Sequence, residues 1–353
     1  MRMRITFSAI VMVSALGLGS KCSSNRNRSN TPETLPWNMD RATRDLKEIS
    51  AQPHPLGSAR IAVLADYLEK EMKQAGLDTG RDRFTALVPD PELLLADPNP
   101  MRSTTLSIPM QNIYARTKTG RESCVFLVGS HYDSKRLPAG NSIGANDSGS
   151  SSAALLELMR GLQSLKAEDA IDLRCHIMAV WFDGEEAYLE EWRDGQTRHP
   201  ARIVDNTYGS RHMADNLKPC TTAAADSKGK NWCLPDQMGG DRVEGIIVLD
   251  MVGMPNLQLT QETSSSRELL KIAMDVDQQL FQGKLFSRSQ RNMVEDDHIA
   301  FLEKGLPALD LIGFENLDTW HTPADTFETV SMQSVEESAR LTHGILQALL
   351  APK

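Results

Sequence analysis

The segment IMAVWFDGEEAY, residues 177–188, decides the fold because it joins an uninterrupted apolar run to a cluster of acids. Residues 177–182 are all apolar, which is typical of a strand buried on both faces of a parallel sheet. Two adjacent carboxylates, Glu185 and Glu186, follow this run. Neighbouring residues at a strand end point in different directions, so one carboxylate can bind a cation while the other stays free to move protons. A solvated turn is the alternative interpretation.

The same succession of apolar strand and polar loop recurs along the chain. Residues 125–128 run into GSHYDS, residues 246–249 run into DMVG, and residues 308–312 form another strand. Apolar residues at helical spacing predict helices over 58–75, 153–165, 296–304 and 334–350. Strands that alternate with helices predict an α/β fold, a three-layer sandwich with a mostly parallel, mixed central sheet flanked by helices. Ligands bind beyond the carboxyl ends of the strands in such sheets.

Composition limits the possible functions. The 353 residues are 40% hydrophobic and 24% charged, which is ordinary for one large globular domain or two small ones. The formal net charge of -9 argues against a nucleic acid as the partner.

The N-terminus is predicted to be an export signal over residues 1–22. Arg2 and Arg4 precede an apolar segment, residues 5–18, that is too short for a comfortable membrane span. Cys22 follows LGSK, which resembles a lipoprotein cleavage box except that Lys21 stands where a small residue is expected. A lipid anchor at Cys22, a free periplasmic form and secretion therefore all stay open. Polar residues 23–36 are predicted to be a flexible tether, and residues 37–353 a single α/β domain.

Four further cysteines fall into two pairs. Cys124 and Cys175 lie in apolar, strand-like runs and are interpreted as small buried hydrophobic residues. Cys220 and Cys233 flank a polar segment inside an insertion at about residues 219–243. A disulfide between these two would restrict that loop in an exported protein.

Short motifs place acids and histidines at the predicted strand ends and helix starts. Each has an ordinary interpretation when taken alone: His131 as a core histidine, Asp147 as a helix N-cap, and HTPADT as a turn. Taken together, carboxylates and imidazoles suit zinc, which binds three protein ligands and keeps an open position when it is catalytic. The candidates are His131, Asp133, Lys135, Asp147, Glu185, Glu186, Asp250, Asp296, Asp297, His298 and His321.

The order and wording of these motifs resemble the M28-type zinc aminopeptidase superfamily, and within it the glutaminyl cyclases, or glutaminyl-peptide cyclotransferases. The resemblance runs from about Trp37 to the C-terminus and is carried by HYDSK, FDGEEA, YGSRHMA, LDMVGMPN, DDHIAFL and WHT. It implies a zinc-aminopeptidase-like fold and one zinc per chain, held by Asp147, Glu186 and His321. It also implies that Glu185 is the general acid/base.

The resemblance further implies an acidic pair, Asp250 with Asp296, hydrogen-bonded beside the metal, and aromatic walls at Trp192 and Trp320. The implied substrates are peptides or proteins with an N-terminal glutamine, which is converted to pyroglutamate with release of ammonia. Zinc would polarise the γ-carbonyl, while one carboxylate takes a proton from the α-amine and delivers it to the leaving group.

A two-zinc aminopeptidase is the alternative function. His131 and Asp250 would then complete a second metal site, with Asp147 bridging the two ions. Asp296 favours the cyclase, because aminopeptidases of this type usually have a small residue before the DH pair. The long segment that carries Trp192 favours it as well. A non-catalytic binding protein on this scaffold would be expected to have lost a ligand or the base, and none is lost.

Overall fold

The computed structural model describes residues 34–92, 105–138, 142–193, 195, 203–220, 231–315 and 317–352. The predicted export signal and most of the predicted tether lie outside these residues. The tether's last residues are described, and Leu35 is buried there. Its carbonyl oxygen accepts a hydrogen bond from Arg340 Nη1 at 3.0 Å. Ordered packing therefore begins before residue 37.

A mixed sheet forms the centre of the domain. Its strands are β1 (Asp78–Pro89), β2 (Thr105–Thr117), β3 (Cys124–His131), β4 (His176–Phe182), β5 (Lys218–Pro219), β6 (Trp232–Cys233), β7 (Arg242–Asp250) and β8 (Ala308–Ile312). The strand order is β1-β2-β4-β3-β7-β6-β5, and β8 pairs with β7. Strands β4, β3, β7 and β8 are mutually parallel, whereas β1 and β2 join antiparallel at one edge.

Seven α-helices lie among the described residues: α1 (Met39–Ile49), α2 (Ala59–Gln74), α3 (Ser151–Ala167), α4 (Tyr208–Asn216), α5 (Arg267–Phe281), α6 (His298–Glu303) and α7 (Met332–Leu350). Helix α2 shows why the sequence forms a helix there. The hydroxyl of Ser58 accepts a hydrogen bond from the Ile61 N–H at 3.2 Å, and Gly76 follows the last turn with a φ of +80°.

Alternate residues of the central strands face two separate cores, as the pleat of a strand requires. Phe126, Val128 and Trp181 pack with residues of α1, α2, α3, α5 and α7 on one face of the sheet. Leu127 and Phe182 pack with residues of α4 and α6 on the other face. The predicted three-layer α/β sandwich with a mixed central sheet is therefore confirmed. The sheet is parallel over β4, β3, β7 and β8, whereas β1, β2, β5 and β6 join it antiparallel.

The described residues contain two disulfides, and one of them corrects the sequence analysis. Cys220 and Cys233 are bonded, as expected from the positions flanking the insertion. Cys124 and Cys175 are also bonded, so their interpretation as free hydrophobic cysteines is wrong. Cys124 begins β3 and Cys175 immediately precedes β4, and the pairing of these two strands brings the sulfurs together. Two disulfides fit a protein that folds in an oxidising compartment. Over the part of the chain that the structure describes, no helix is long and apolar enough to cross a membrane.

Candidate active site

The parallel strands deliver acids and a histidine to one edge of the sheet. His131 is the last residue of β3 and Asp250 the last of β7, and Glu185 and Glu186 follow the end of β4 closely. His131 is in register with Phe182, the last residue of β4. The carboxyl ends of three strands therefore meet, which is where ligands bind in parallel α/β sheets.

A buried carboxylate fixes the two adjacent glutamates. The chain turns at Gly184 with a φ of +73°, a conformation that favours glycine. Asp133 Oδ1 accepts hydrogen bonds from the N–H groups of Gly184 at 3.1 Å and Glu185 at 3.0 Å, and its Oδ2 accepts one from Glu186 at 3.2 Å. Lys135 Nζ donates to the backbone oxygens of Ala187 and Leu189, each at 3.2 Å. Asp133 and Lys135 thus hold the backbone of the turn in place.

Asp147 is held in a similar way from the opposite side. The carboxylate of Asp325 accepts hydrogen bonds from the N–H groups of Asn146 at 2.7 Å and Asp147 at 3.1 Å. The side chain of Asn146 in turn accepts one from the Gly253 N–H at 2.9 Å. Sequence reasoning gave Asp325 no role, although it lies in the WHTPADT motif, because a backbone contact over 178 residues leaves no local pattern.

Asp147, Glu186 and His321 offer three ligand atoms that lie within 4.8 Å of one another. His321 Nε2 is 3.4 Å from Asp147 Oδ2 and 3.1 Å from Glu186 Oε1. Both oxygens of Glu186 are buried and lack a hydrogen-bond partner among the described residues. Lys135 Nζ lies 3.7 Å from Glu186 Oε2, so the charge of this carboxylate is partly compensated. Two carboxylates with one imidazole are ligands that zinc accepts, so these residues fit a zinc ion.

A second group shares Asp147. His131, Asp147 and Asp250 also have ligand atoms within 4.8 Å of one another. His131 Nε2 lies 3.1 Å from Asp147 Oδ1 and 3.3 Å from Asp250 Oδ1. His131 Nδ1 lies 3.1 Å from the backbone oxygen of Asp133, which is the kind of outer contact that orients ligating histidines. The structure therefore brings together both ligand sets considered from the sequence.

Burial dominates the electrostatics of the site. It raises the pKa of Glu185 well above its usual range, with Glu186 and Asp296 adding to the effect and His131 opposing it. Burial also raises the pKa of Asp250 to about 7, although His131 acts in the other direction. A cation bound by Glu186 would offset part of the effect on Glu185. Carboxyl groups in such surroundings can hold or release a proton near neutral pH.

Further acids lie behind Asp250. Asp296, His298 and Asp310 are buried with ligand atoms within 4.8 Å of one another. Burial and the neighbouring carboxylates, Asp296 foremost, raise the pKa of Asp310 well above its usual range. His298 Nε2 lies 3.2 Å from Glu262 Oε2. The acidic group around Asp296 is thus larger than the pair considered from the sequence, because it includes Asp310.

Some of the acids and one of the histidines line a pocket of about 280 Å³. Asp147, Glu185 and Asp250 are buried in it, His321 is partly exposed, and Trp192 and Trp320 contribute two of its walls. The rings of Trp320 and His321 stack with centroids 3.9 Å apart, and Trp192 lies 6.4 Å from His321. An ion pair between Arg193 and Glu295, which the sequence did not suggest, lies on the lining of the same pocket. The pocket combines aromatic surface with a few convergent polar groups, as small-molecule sites do.

Residues 112–346 match the family model described as Peptidase family M28. A glutaminyl-peptide cyclotransferase from Drosophila melanogaster is 24% identical over 341 residues, which is 90% of this chain and 84% of that protein. A protein of the same name from Dictyostelium discoideum is 28% identical over 225 residues, and the match spans 61% of this chain and little more than half, 57%, of that protein. These relatives confirm the resemblance to glutaminyl cyclases within the M28 group.

Solved structures share the fold. A glutaminyl cyclase from an Acidobacteriales bacterium superimposes with a TM-score of 0.68 at 23% identity, covering 95% of this chain and 99% of that one. A Zn-dependent exopeptidase from Parabacteroides distasonis gives a TM-score of 0.63 at 19% identity, covering 90% of this chain and 100% of that one. The zinc-aminopeptidase-like fold expected from the sequence is confirmed.

Proposed function

Because the chain belongs to peptidase family M28, we propose that its site binds one zinc and converts N-terminal glutamine of peptides or proteins to pyroglutamate with release of ammonia. The observation that carries this proposal is the geometry of Asp147, Glu186 and His321, with the carboxyl group of Glu185 buried beside them. The relatives that carry cyclotransferase names favour this reaction over peptide hydrolysis.

Asp147, Glu186 and His321 would hold the zinc. When bound, the ion would supply Lewis-acid polarisation of the substrate's side-chain amide carbonyl. Glu186 is suited to the ligand role because its buried oxygens lack hydrogen-bond partners within the described ranges. Glu185 is fixed by the same Asp133 contacts but is left out of the ligand group.

Glu185 would move the proton. The α-amine attacks the carbon of the side-chain amide, a ring C–N bond forms, and the bond to the leaving nitrogen breaks. Glu185 accepts a proton from the attacking amine and donates it to the departing ammonia, so the carboxyl group returns to its starting state. Asp250 and Asp296 also line the pocket and would bind substrate amide groups, while Trp192 and Trp320 would hold the glutamine side chain and exclude water.

The test separates the cyclase from the two-zinc aminopeptidase. We expect one zinc per chain, ammonia and pyroglutamate from glutaminyl peptides, and loss of turnover with heterocyclic chelators that zinc reverses. Two tightly held zinc ions at the Asp147-centred groups, with hydrolysis of a leucine anilide and no ammonia from glutaminyl peptides, would assign the aminopeptidase function instead.

A matched pair of variants tests the two glutamates. Glu185→Gln keeps the shape of the side chain but cannot accept a proton, so zinc should stay bound while turnover falls by roughly 100- to 10,000-fold. Glu186→Gln should lose zinc and activity together. Zinc content and ammonia release are measured on both proteins. A zinc-poor Glu185→Gln protein, or one with zinc bound and near-normal turnover, would show that these roles are assigned incorrectly.

We also propose that the chain is exported and is then periplasmic, lipid-anchored through Cys22, or secreted. The two disulfides support export, because such bonds persist in oxidising compartments. Cell fractionation of wild type and of Cys22→Ser, with mass spectrometry of the mature N-terminus, distinguishes the three locations. A protein recovered in the cytoplasm with residues 1–22 intact would contradict export.

A further inference from the structure

One end of the pocket is buried and the other is exposed to solvent, so a peptide that reacts at the buried end must extend toward the exposed end. Glu185 and Asp250, at the reacting end, are 5% and 6% exposed. Met293 lines the same pocket and is 72% exposed, the highest value among the exposed large hydrophobic residues that the structure describes. A peptide whose N-terminal residue reacts near Glu185 must continue toward this rim. The residue after the glutamine would then lie at the rim, of which Met293 and Arg193 are the exposed parts.

A single exposed methionine is ordinary on a protein surface. Met293 differs because the backbone on either side of it is held in place. The Val294 N–H donates to Glu262 Oε1 at 3.2 Å, and the backbone oxygen of Asn292 accepts a hydrogen bond from the Thr263 N–H at 3.0 Å. Glu262 itself is fixed by the Ser264 N–H at 2.8 Å. The exposed side chain is thus presented from a preorganised strip of backbone.

The residue that follows Met293 belongs to the apolar wall of the pocket. Val294 packs in a small cluster with Met251 and Ile312, against which Phe314 and Trp320 also pack. The nearby Arg193 and Glu295 side chains pair with each other, so these two opposite charges offset each other at the mouth. The Arg193–Glu295 pair therefore adds no net charge to the rim beside the apolar side chain of Met293.

We propose that Met293 is the main contact of a subsite for the residue that follows the N-terminal glutamine, and that this subsite selects apolar side chains over charged ones. The proposal rests on the proposed function, because it takes the reaction at Glu185 to fix the direction of the peptide. Contact with Met293 buries about one or two methylene groups of the substrate, and each is worth roughly a 4-fold change in binding. A charged side chain at the same place would gain less from contact with the apolar Met293 side chain.

The experiment compares kcat/KM for Gln-Leu, Gln-Asp and Gln-Lys peptides with that for glutaminamide, which lacks a second residue. Wild type should prefer Gln-Leu over both charged peptides. Met293→Ser should lower kcat/KM for Gln-Leu about 3- to 10-fold more than that for glutaminamide, mainly through KM. Met293→Leu, which keeps the apolar surface, should restore the preference.

Met274→Ser is the matched control, because Met274 is an exposed methionine of α5 that does not line the pocket. It should leave all the ratios as in wild type. An unaltered Gln-Leu to glutaminamide ratio in Met293→Ser, or an equal loss on both substrates, overturns the subsite. A wild-type protein that releases no ammonia from any of the four substrates overturns the proposed function itself, which is a different result.

Discussion

Asp133→Asn should inactivate the site although it replaces no residue that is proposed to bind substrate or metal. The carboxylate of Asp133 is fully buried and accepts the N–H groups of Gly184, Glu185 and Glu186 at 3.0–3.2 Å. An asparagine can still accept the first two through its one oxygen, but as neutral hydrogen bonds, each weaker by about 1 kcal/mol. Its amide would face the Glu186 N–H, donor against donor, and leave it unsatisfied at a cost of about 1–3 kcal/mol. The free energy of unfolding should therefore fall by about 3–5 kcal/mol.

Activity should fall as well, because both proposed glutamates depend on this carboxylate for position. A displacement of about 1 Å at a catalytic group costs on the order of 100-fold in rate. Urea titration gives the stability change, provided that the slope with denaturant is unaltered. Ammonia release by the protein that remains folded gives the rate. Wild-type stability together with wild-type turnover in Asp133→Asn would refute this account of how the turn is held.

Asp183→Asn is the matched control, because it makes the same chemical change next to the same turn. Asp183 is also buried, but burial and the nearby Asp133 raise its pKa to about 8. Its carboxyl group is therefore largely protonated at pH 7 and already resembles a neutral amide. We expect this variant to be at least as stable as wild type at pH 7 and to remain active. A loss as large as that of Asp133→Asn would mean that both effects reflect general damage to the turn.

Three further predictions concern the pocket wall, the disulfide and pH. Trp320→Ala should lower turnover by on the order of 10- to 100-fold with little change in melting temperature, since the Trp320 ring stacks on His321 at the pocket. A large drop in melting temperature with normal turnover would show that Trp320 is a core residue instead. Replacing Cys124 and Cys175 by alanine removes a cross-link between residues with a sequence separation of 51 and should lower the free energy of unfolding by about 4 kcal/mol. Urea titration measures this change, and ammonia release checks that the site is intact. Because burial raises the pKa of Asp183 to about 8, the stability that its protonated carboxyl group contributes is fully present below pH 4 and is lost as pH rises toward 8. The free energy of unfolding of wild type should therefore fall over that range relative to that of Asp183→Asn. Parallel pH profiles of the two proteins would contradict this.

The sequence was most informative where chemistry follows directly from strand ends. The apolar run that ends at Phe182 and the acids after it follow from local pattern, because a parallel sheet exposes only the ends of its strands. The edge strand β1 and its neighbour β2 went unpredicted, since half-exposed strands carry no continuous apolar run. The bond between Cys124 and Cys175 was missed because only the pairing of β3 with β4 brings the two cysteines together.

The same limit applies to the site. The resemblance to the glutaminyl cyclases and the M28 aminopeptidases implied Asp147, Glu186 and His321 as one group and His131 with Asp250 as another, and the structure brings both groups together. The contacts that orient them are long-range hydrogen bonds from backbone N–H groups to carboxylates, such as those that Asp325 accepts, and any acid in any loop could make these. The sequence therefore names the acids but does not show which ones hold the others in place.

The position of the Cys124–Cys175 bond matters for anyone who wishes to attach this protein to a solid support. The bond lies at the start of β3, while His131 lies at its end, seven residues further along, which corresponds to roughly 23 Å of extended strand. Residues 121–123 form an exposed turn just before Cys124, at the end of β3 opposite to the pocket. The Cys124–Cys175 disulfide ties this turn to the sheet. A single attachment site in this turn would orient immobilised molecules with the pocket facing the solvent. A force applied at that site would reach the covalent cross-link before it reached the strand ends.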